Sequence, residues 1–301
     1  MREVAALAGL LRAAGLVVGI TLLIFLFVRV VPGDVVDLVG IEGGLTDAMK
    51  EEMRQELGLN QSLGQQFVLW VGQLAQGDFG LSIRYHRPVA DLIARALPTT
   101  LQLAALSFTI GLVLGVGAAV AAVTWPRSVW PSVVQALNVW SIAVPTFCAG
   151  LLLIFVFVLW LGWMPLLGNL WLASIILGVD VAGQLTKPLH EDLKETLNAT
   201  FVKTARAKGI RPILVIWRHV LPNSLSVLLS LSGLVLAGLV GGTITMELLF
   251  GLPGLGKLAL DSVLGRDYPA IQAVAVILAV SVVMVNALVD LLARLIDPRL
   301  S

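Results

Sequence analysis

Eight residues, Gly251-Leu252-Pro253-Gly254-Leu255-Gly256-Lys257-Leu258, come within one position of the loop G-x-x-x-x-G-K-[ST], whose backbone N–H groups cradle phosphates while its last hydroxyl holds Mg2+. Here Leu258 stands where that hydroxyl belongs, Pro253 removes an N–H from the cradle, and no buried parallel strand precedes the loop. Nucleotide binding is therefore not expected. No Ser/His/Asp set and no pair of carboxylates stands elsewhere. His86, His190 and His219 are far apart with no ligand spacing, so no metal site is expected. Cys148, the single cysteine, cannot form an internal disulfide and reads as a small apolar core residue. The residues predict no catalytic centre, no metal and no cofactor.

The residues whose spacing does suggest work form the basic segment ETLNATFVKTARAKGIRPILVIWRHVLP, Glu195 to Pro222, between apolar runs. Leu189, Leu193, Leu197, Phe201 and Ala205 recur every four residues, which predicts one helix with a narrow apolar face. Gly209 suits the left-handed position just past a helix end, and Lys203, Arg206 and Lys208 fall in the preceding turns, where the helix dipole favours cations. Pro212 suits the first turn of a second short helix. In that piece Ile213, Ile216, Trp217 and Val220 form an apolar knob ending at Leu221-Pro222. Two short helices meeting at a glycine make an elbow. Periodicity alone leaves two readings: a loop whose charges only fix topology, or a part that a surrounding body moves.

That body is a membrane body. Of 301 residues 58% are hydrophobic and 13% charged, and long uncharged runs make the chain polytopic. A formal net charge of +1 implies no nucleic-acid partner. Gly15 to Val31 reads as a retained first span, too long for a signal-peptide core, with Arg29 snorkelling at its far end. A polar region follows to about Pro98. It holds a surface helix over Leu45 to Leu59, capped by Thr46 and ended by Gly58, and an amphipathic piece marked by Phe67, Leu69, Trp70 and Leu74. This region reads as a docking surface or as a spacer. Leu101 to Val123 is the second span, where Gly111, Gly115 and Gly117 allow close helix approach. Val133 to Leu161 is the third, kinked at Pro145, and Leu170 to Leu185 the fourth and weakest. Leu225 to Leu249 is the fifth, with Gly233, Gly238, Gly241 and Gly242, and Ala270 to Leu295 the sixth, with Asn286 and Asp290 one turn apart.

Polar groups inside spans are costly against lipid, so they face other helices or a water-filled path. Asn138, Ser141 and Pro145 in the third span admit both readings. Asp180 in the fourth favours a peptide amino group or another cationic solute if it lines a path, and has no such role at an interface. Trp160, Trp163 and Trp171 mark an outer boundary. From Gln184 to Pro222, Lys187, Lys194, Lys203, Arg206, Lys208, Arg211 and Arg218 outnumber Glu191, Asp192 and Glu195. This bias, with Arg127 on the turn after the second span, places the elbow on the cytoplasmic side and both termini with it.

Lys203-Thr204-Ala205, Gly209 and His219-Val220-Leu221-Pro222 fall at the spacing E-A-A, three residues, Gly, nine residues, I-x-L-P. The segment resembles the cytoplasmic EAA loop of ABC importer permeases, although Lys203, Thr204 and His219 depart from its letters. FVKTARAKG, VRVVPGD after the first span, GDFGLSIRYHRPVADLIARALPTTLQL, ELLFGLPGLGKL and the ending IDPRL resemble the dipeptide/oligopeptide/nickel branch, so the likeness covers nearly the whole chain. It implies an all-α integral membrane permease of the bacterial inner (plasma) membrane, with six transmembrane helices and both termini cytoplasmic. Residues 1–31 would be the N-terminus and first helix, 32–98 an extracytoplasmic segment, and 99–301 the permease core with its coupling loop at 195–222.

The resemblance also implies that Lys203, Thr204, Ala205, Arg206, Ala207, Lys208, Gly209, Leu221 and Pro222 couple to an ATP-hydrolysing subunit, the elbow passing motion to the third, fourth and fifth spans. Implied partners are a second homologous permease subunit, two cytoplasmic ATP-binding subunits, an extracytoplasmic solute-binding protein and membrane lipid. The implied cargo is a di- or oligopeptide, with nickel, glutathione or another small solute as alternatives. A secondary transporter driven by ions would be expected to show internal repeats and intramembrane carboxylates. This chain shows no clear repeat and only Asp180 and Asp290.

Overall fold

A run of about 20 apolar residues makes a helix long enough for a hydrocarbon layer of roughly 30 Å, and a helix satisfies its own backbone there. The computed structural model describes residues 2–30, 36, 46–56 and 60–296, and among them every regular element is a helix, joined by turns and loops, with one isolated bridge between Leu81 and Pro88. In chain order the helices are α1 (Arg2–Val30), α2 (Asp47–Glu56), α3 (Leu63–Ala75), α4 (Val89–Thr124), α5 (Trp130–Ala143) and α6 (Thr146–Ile154), which a π turn prolongs over Phe155–Trp160. After these come α7 (Leu170–Thr196), α8 (Thr200–Ala207) and α9 (Pro212–Val215). A π turn at Ile216–Val220 and a 3-10 turn at Leu221–Ser224 then lead into α10 (Leu225–Leu249), followed by α11 (Leu255–Leu264) and α12 (Tyr268–Ile296). Val31-Pro32-Gly33-Asp34, Leu45, Gly58, Asp297-Pro298-Arg299 and the side chain of Asp290 lie outside the described residues.

Among the described residues five stretches, Leu11–Arg29, Val89–Thr124, Leu170–Thr196, Pro212–Leu239 and Tyr268–Val289, are long and apolar enough to cross a membrane. α5 and α6 make a sixth crossing only if counted as one span bent by 102°. The expected third span is therefore two helices and not one kinked helix. The proline ring disfavours helical geometry in the residue before it, and Val144 takes φ −109°, ψ 107°, after which α6 starts afresh behind Pro145.

α7 is the centre of the bundle. Its span is 61% buried, against 17–50% for the other four, although its sequence is the least apolar. A helix wrapped by protein needs less lipophilic surface than one facing lipid, which is why hydropathy ranks it lowest. Small residues let its neighbours in. A Cβ on Gly111 of α4 would lie 2.3 Å from Val181 Cγ1, one on Gly178 of α7 2.6 Å from Ile110 Cγ2, and one on Gly183 2.3 Å from the Leu137 carbonyl oxygen of α5. Gly115 and Gly233 also face neighbouring helices, whereas Gly117, Gly238 and Gly241 have open space beside them. Around α7, Leu103, Leu172, Ile176, Leu177, Val235, Met246 and Phe250 close the main core.

Before the second span, Ser62 and Gln65 form a reciprocal capping box at the start of α3. Phe67 and Trp70 of α3 pack on Phe25 of α1 at ring distances of 5.4 and 5.6 Å. Arg29, near the end of the first helix, lies 4.6 Å over the Phe25 ring and donates to Gln66 Oε1 at 2.9 Å. Part of the polar region is thus folded onto the first helix.

Candidate coupling elbow and translocation face

The helix expected from Leu189 to Ala205 is interrupted. α7 ends at Thr196, the chain turns over Leu197–Ala199 with Asn198 donating to the Lys194 carbonyl at 3.2 Å, and α8 begins at Thr200. This break changes the phase, so that Val202 is buried while Phe201 is 43% exposed. α8 then closes on a Schellman motif. Gly209 N–H donates to the Arg206 carbonyl at 2.9 Å and Ile210 N–H to that of Ala205 at 3.4 Å, with Gly209 at φ +74°. Nothing lies within 4 Å of a Cβ built on Gly209, so only its backbone angle demands glycine. Pro212 opens α9 at its first position, as the spacing predicts.

The elbow sits on an apolar seat. Val202, Ala205, Val215, Ile216, Val220 and Leu221 pack against Ala119, Val120 and Val123 at the end of α4 and Leu189 and Leu193 of α7. Among the described residues no hydrogen bond or ion pair joins the side chains of α8 or α9 to α4 or α7. The seat thus rests on the second and fourth spans and leads directly into the fifth, with the second in the place expected for the third. The expected knob also divides: the π turn over Ile216–Val220 sends Ile216 and Val220 inward and leaves Ile213, Leu214 and Trp217 facing out. Of the residues named for coupling, Lys203, Thr204, Arg206, Ala207, Lys208, Gly209 and Pro222 are exposed, whereas Ala205 and Leu221 are buried in the seat.

The candidate path residues converge in part. Ser141 of α5 lies against α7 at Gly183, where an added Cβ would come 2.6 Å from the serine Cβ. Asp180 stands three residues earlier on that side of α7, half-buried, its Oδ2 accepting from Gln184 Nε2 at 2.8 Å. Asn138 is half-buried one turn before Ser141 and offers its carbonyl to the serine hydroxyl at 3.1 Å. Pro145 is exposed at the 102° break, beyond this seam. No hydrogen bond joins Asp180 to Asn138 or Ser141 among the described residues.

At the opposite end from the elbow the chain carries groups whose role sequence spacing missed. Glu247, fully buried, has Oε1 accepting from Thr100 Oγ1 at 2.7 Å and Oε2 from Lys257 N–H at 3.0 Å, while Leu255 N–H donates to Thr100 Oγ1 at 2.8 Å. A Cβ on Gly254 would collide with this carboxylate at 2.2 Å. The near-match to a phosphate loop is therefore an anion cradle filled by the chain's own carboxylate at the start of α11. Asp267 is likewise fully buried. It accepts from Ile83 N–H at 3.2 Å, from the Ser82 hydroxyl and from Ala270 N–H at the start of α12. A glutamate facing a glycine-rich turn was the available signal for the first; its partner Thr100 lies 147 residues away.

The profile of the binding-protein-dependent transport system inner membrane component family matches residues 111–301. The chain belongs to that family. Glutathione transport system permease proteins GsiC of Shigella boydii serotype 4 (strain Sb227) and Escherichia coli (strain K12) are each 38% identical to it over 288 residues, 93% of both chains. Among solved structures, the inward-facing MetNI methionine ABC transporter shares the fold, with a TM-score of 0.60 and 23% identity over 68% of this chain and 96% of that one. The permease is thus a multi-pass inner-membrane subunit of an ABC importer and a non-catalytic transport component. Family membership sets aside the ion-driven secondary transporter.

Proposed function

We propose that this permease carries short peptides, with di- and oligopeptides and the tripeptide glutathione as candidate cargo, and that it lines the path together with a second, homologous permease subunit. Two ATP-binding subunits would drive it from the cytoplasm and a solute-binding protein would deliver cargo from outside. The observation that carries the mechanical half is the elbow: a short helix closed by a left-handed glycine, seated on apolar contacts and presenting Lys203, Arg206 and Lys208 beside exposed Ile213, Leu214 and Trp217. Exposed aromatic and aliphatic groups on the same short segment as exposed cations suit a protein partner better than water. In this reading all six crossings count α5 and α6 as one, both termini are cytoplasmic, and residues 32–98 form an extracytoplasmic docking segment ahead of the core at 99–301.

A partner that pulls on α8 moves the ends of α4 and α7 and, through Leu221–Ser224, the start of α10. Nucleotide biases such a two-state element only by binding one state better than the other. Asn138, Ser141 and Asp180 along the α5–α7 seam would face the cargo, Asp180 attracting its amino group, and Pro145 would set the bend beside them. Peptide cargo is supported by the 38% identical relatives, named as glutathione permeases, and by that carboxylate. The test is uptake into vesicles bearing the assembled importer, its binding protein and internal ATP, with labelled glutathione, di- and tripeptides and a nickel chelate in competition. Saturable, ATP-dependent uptake of peptides is expected. Uptake of the nickel chelate alone would overturn the peptide reading.

A further inference from the structure

A cavity of about 420 Å3 opens between the elbow and the helices that seat it. Val123 and Pro126 at the end of α4 and Pro131 of α5 form one wall, His190 and Lys194 on the last turns of α7 a second, and Arg206 of α8 the third. His190 and Lys194 are one turn apart and so share a face of α7. No carboxylate lines the cavity, and neither Lys194 nor Arg206 makes an ion pair among the described residues. His190 borders the cavity, with its Nδ1 buried out of reach of solvent. Two cations, Lys194 and Arg206, thus look onto one partly enclosed space, with like charge repelling across it.

What relieves that repulsion is an anion with several acceptor oxygens, able to take the planar fork of Arg206 and the point charge of Lys194 together. The space far exceeds a single water or halide ion, and its proline and valine wall suits the neutral part of a larger group. Basic pockets between transmembrane helices near the cytoplasmic surface are where anionic headgroups are held. We infer that this cavity is a site for a phosphate group, of an anionic phospholipid or free in solution, that bridges Lys194 of α7 to Arg206 of α8. Such a bridge spans the break at Leu197–Ala199 and ties the elbow to the membrane body by charge where apolar contacts otherwise act alone. The consequence for coupling rests on reading α8 as the moving part; the binding site itself does not.

The test uses the assembled importer, delipidated and offered phosphatidylglycerol or phosphatidylcholine in equal amounts, with bound lipid counted by native mass spectrometry. Retention of phosphatidylglycerol at least fivefold above phosphatidylcholine is expected, falling to parity in Lys194→Gln, persisting in Lys194→Arg, and unchanged in Arg218→Gln, which lies on the elbow outside the cavity. Lys194 is exposed, so these variants should fold. If the source is free phosphate, inorganic phosphate will instead raise the melting temperature of native complex but not of Lys194→Gln, with no lipid preference. Equal retention of both lipids together with no phosphate shift that depends on Lys194 would overturn the site, as would a preference for phosphatidylglycerol that survives Lys194→Gln. Failure of peptide uptake leaves this readout untouched, so the two proposals fail separately.

Discussion

At one end of the bundle two carboxylates, Glu247 and Asp267, are fully buried and bonded to amides and hydroxyls on other elements; at the other, the elbow rests on apolar side chains with a single left-handed glycine at its bend. Hydrogen bonds to a buried charge are short and directional, and each lost partner leaves a desolvated group behind. Apolar contacts tolerate small slides, because their energy follows buried area more than angle. The difference teaches where directional bonds resist displacement in this permease and where apolar contacts would permit it. The end bearing α11 is locked to α4 and to the loop before it, while the elbow can move as a unit without breaking a hydrogen bond to its seat.

The comparison breaks most visibly at Glu247. Glu247→Ala should cost about 3 kcal/mol or more, because Thr100 and the α11 amides lose their acceptor together. Thermal unfolding of the purified subunit should show the largest fall in melting temperature for this change, with Glu247→Gln intermediate. On the elbow side Ile216→Ala should cost about 2 kcal/mol, the low end of the range for emptying a packed apolar site, since no polar group is orphaned. If the elbow variant destabilised more than the glutamate variant in parallel melts, the contrast between the two ends would be wrong. Smallest is Asp180→Asn: stability should shift by under roughly 1 kcal/mol for a half-buried carboxylate whose neighbour Gln184 can still bond. Uptake of cationic peptides should fall several-fold against neutral ones in that variant. Equal uptake of both would remove Asp180 from the path.

The parts legible in the sequence were those governed by local rules. Long apolar runs marked the crossings, Gly209 marked the left-handed close of α8, and Pro212 marked the start of α9, because each depends on a few neighbouring residues. Which face of the elbow is buried was less legible. It depends on the break at Leu197–Ala199 and on the π turn at Ile216–Val220, and each shifts the helical phase so that Phe201 and Trp217 turn outward. Pro145 announced a disturbance but not its size. The central place of α7 was hidden because burial by neighbours, not hydropathy, decides it. The cradle around Glu247 joins residues up to 155 positions apart in its Thr100–Leu255 bond, and no local pattern records that.

The central claim, that the bend at Gly209 hands on force from an ATP-hydrolysing partner, is tested most directly by Gly209→Val in the assembled importer. A β-branched residue at φ +74° costs about 1–3 kcal/mol of local strain with no clash to blame, since the space beside it is open. ATP hydrolysis and peptide uptake should be measured on the same preparation. The expected result is an intact complex that still hydrolyses ATP while uptake per ATP falls tenfold or more. An intact Gly209→Val complex with unchanged uptake per ATP would contradict the account.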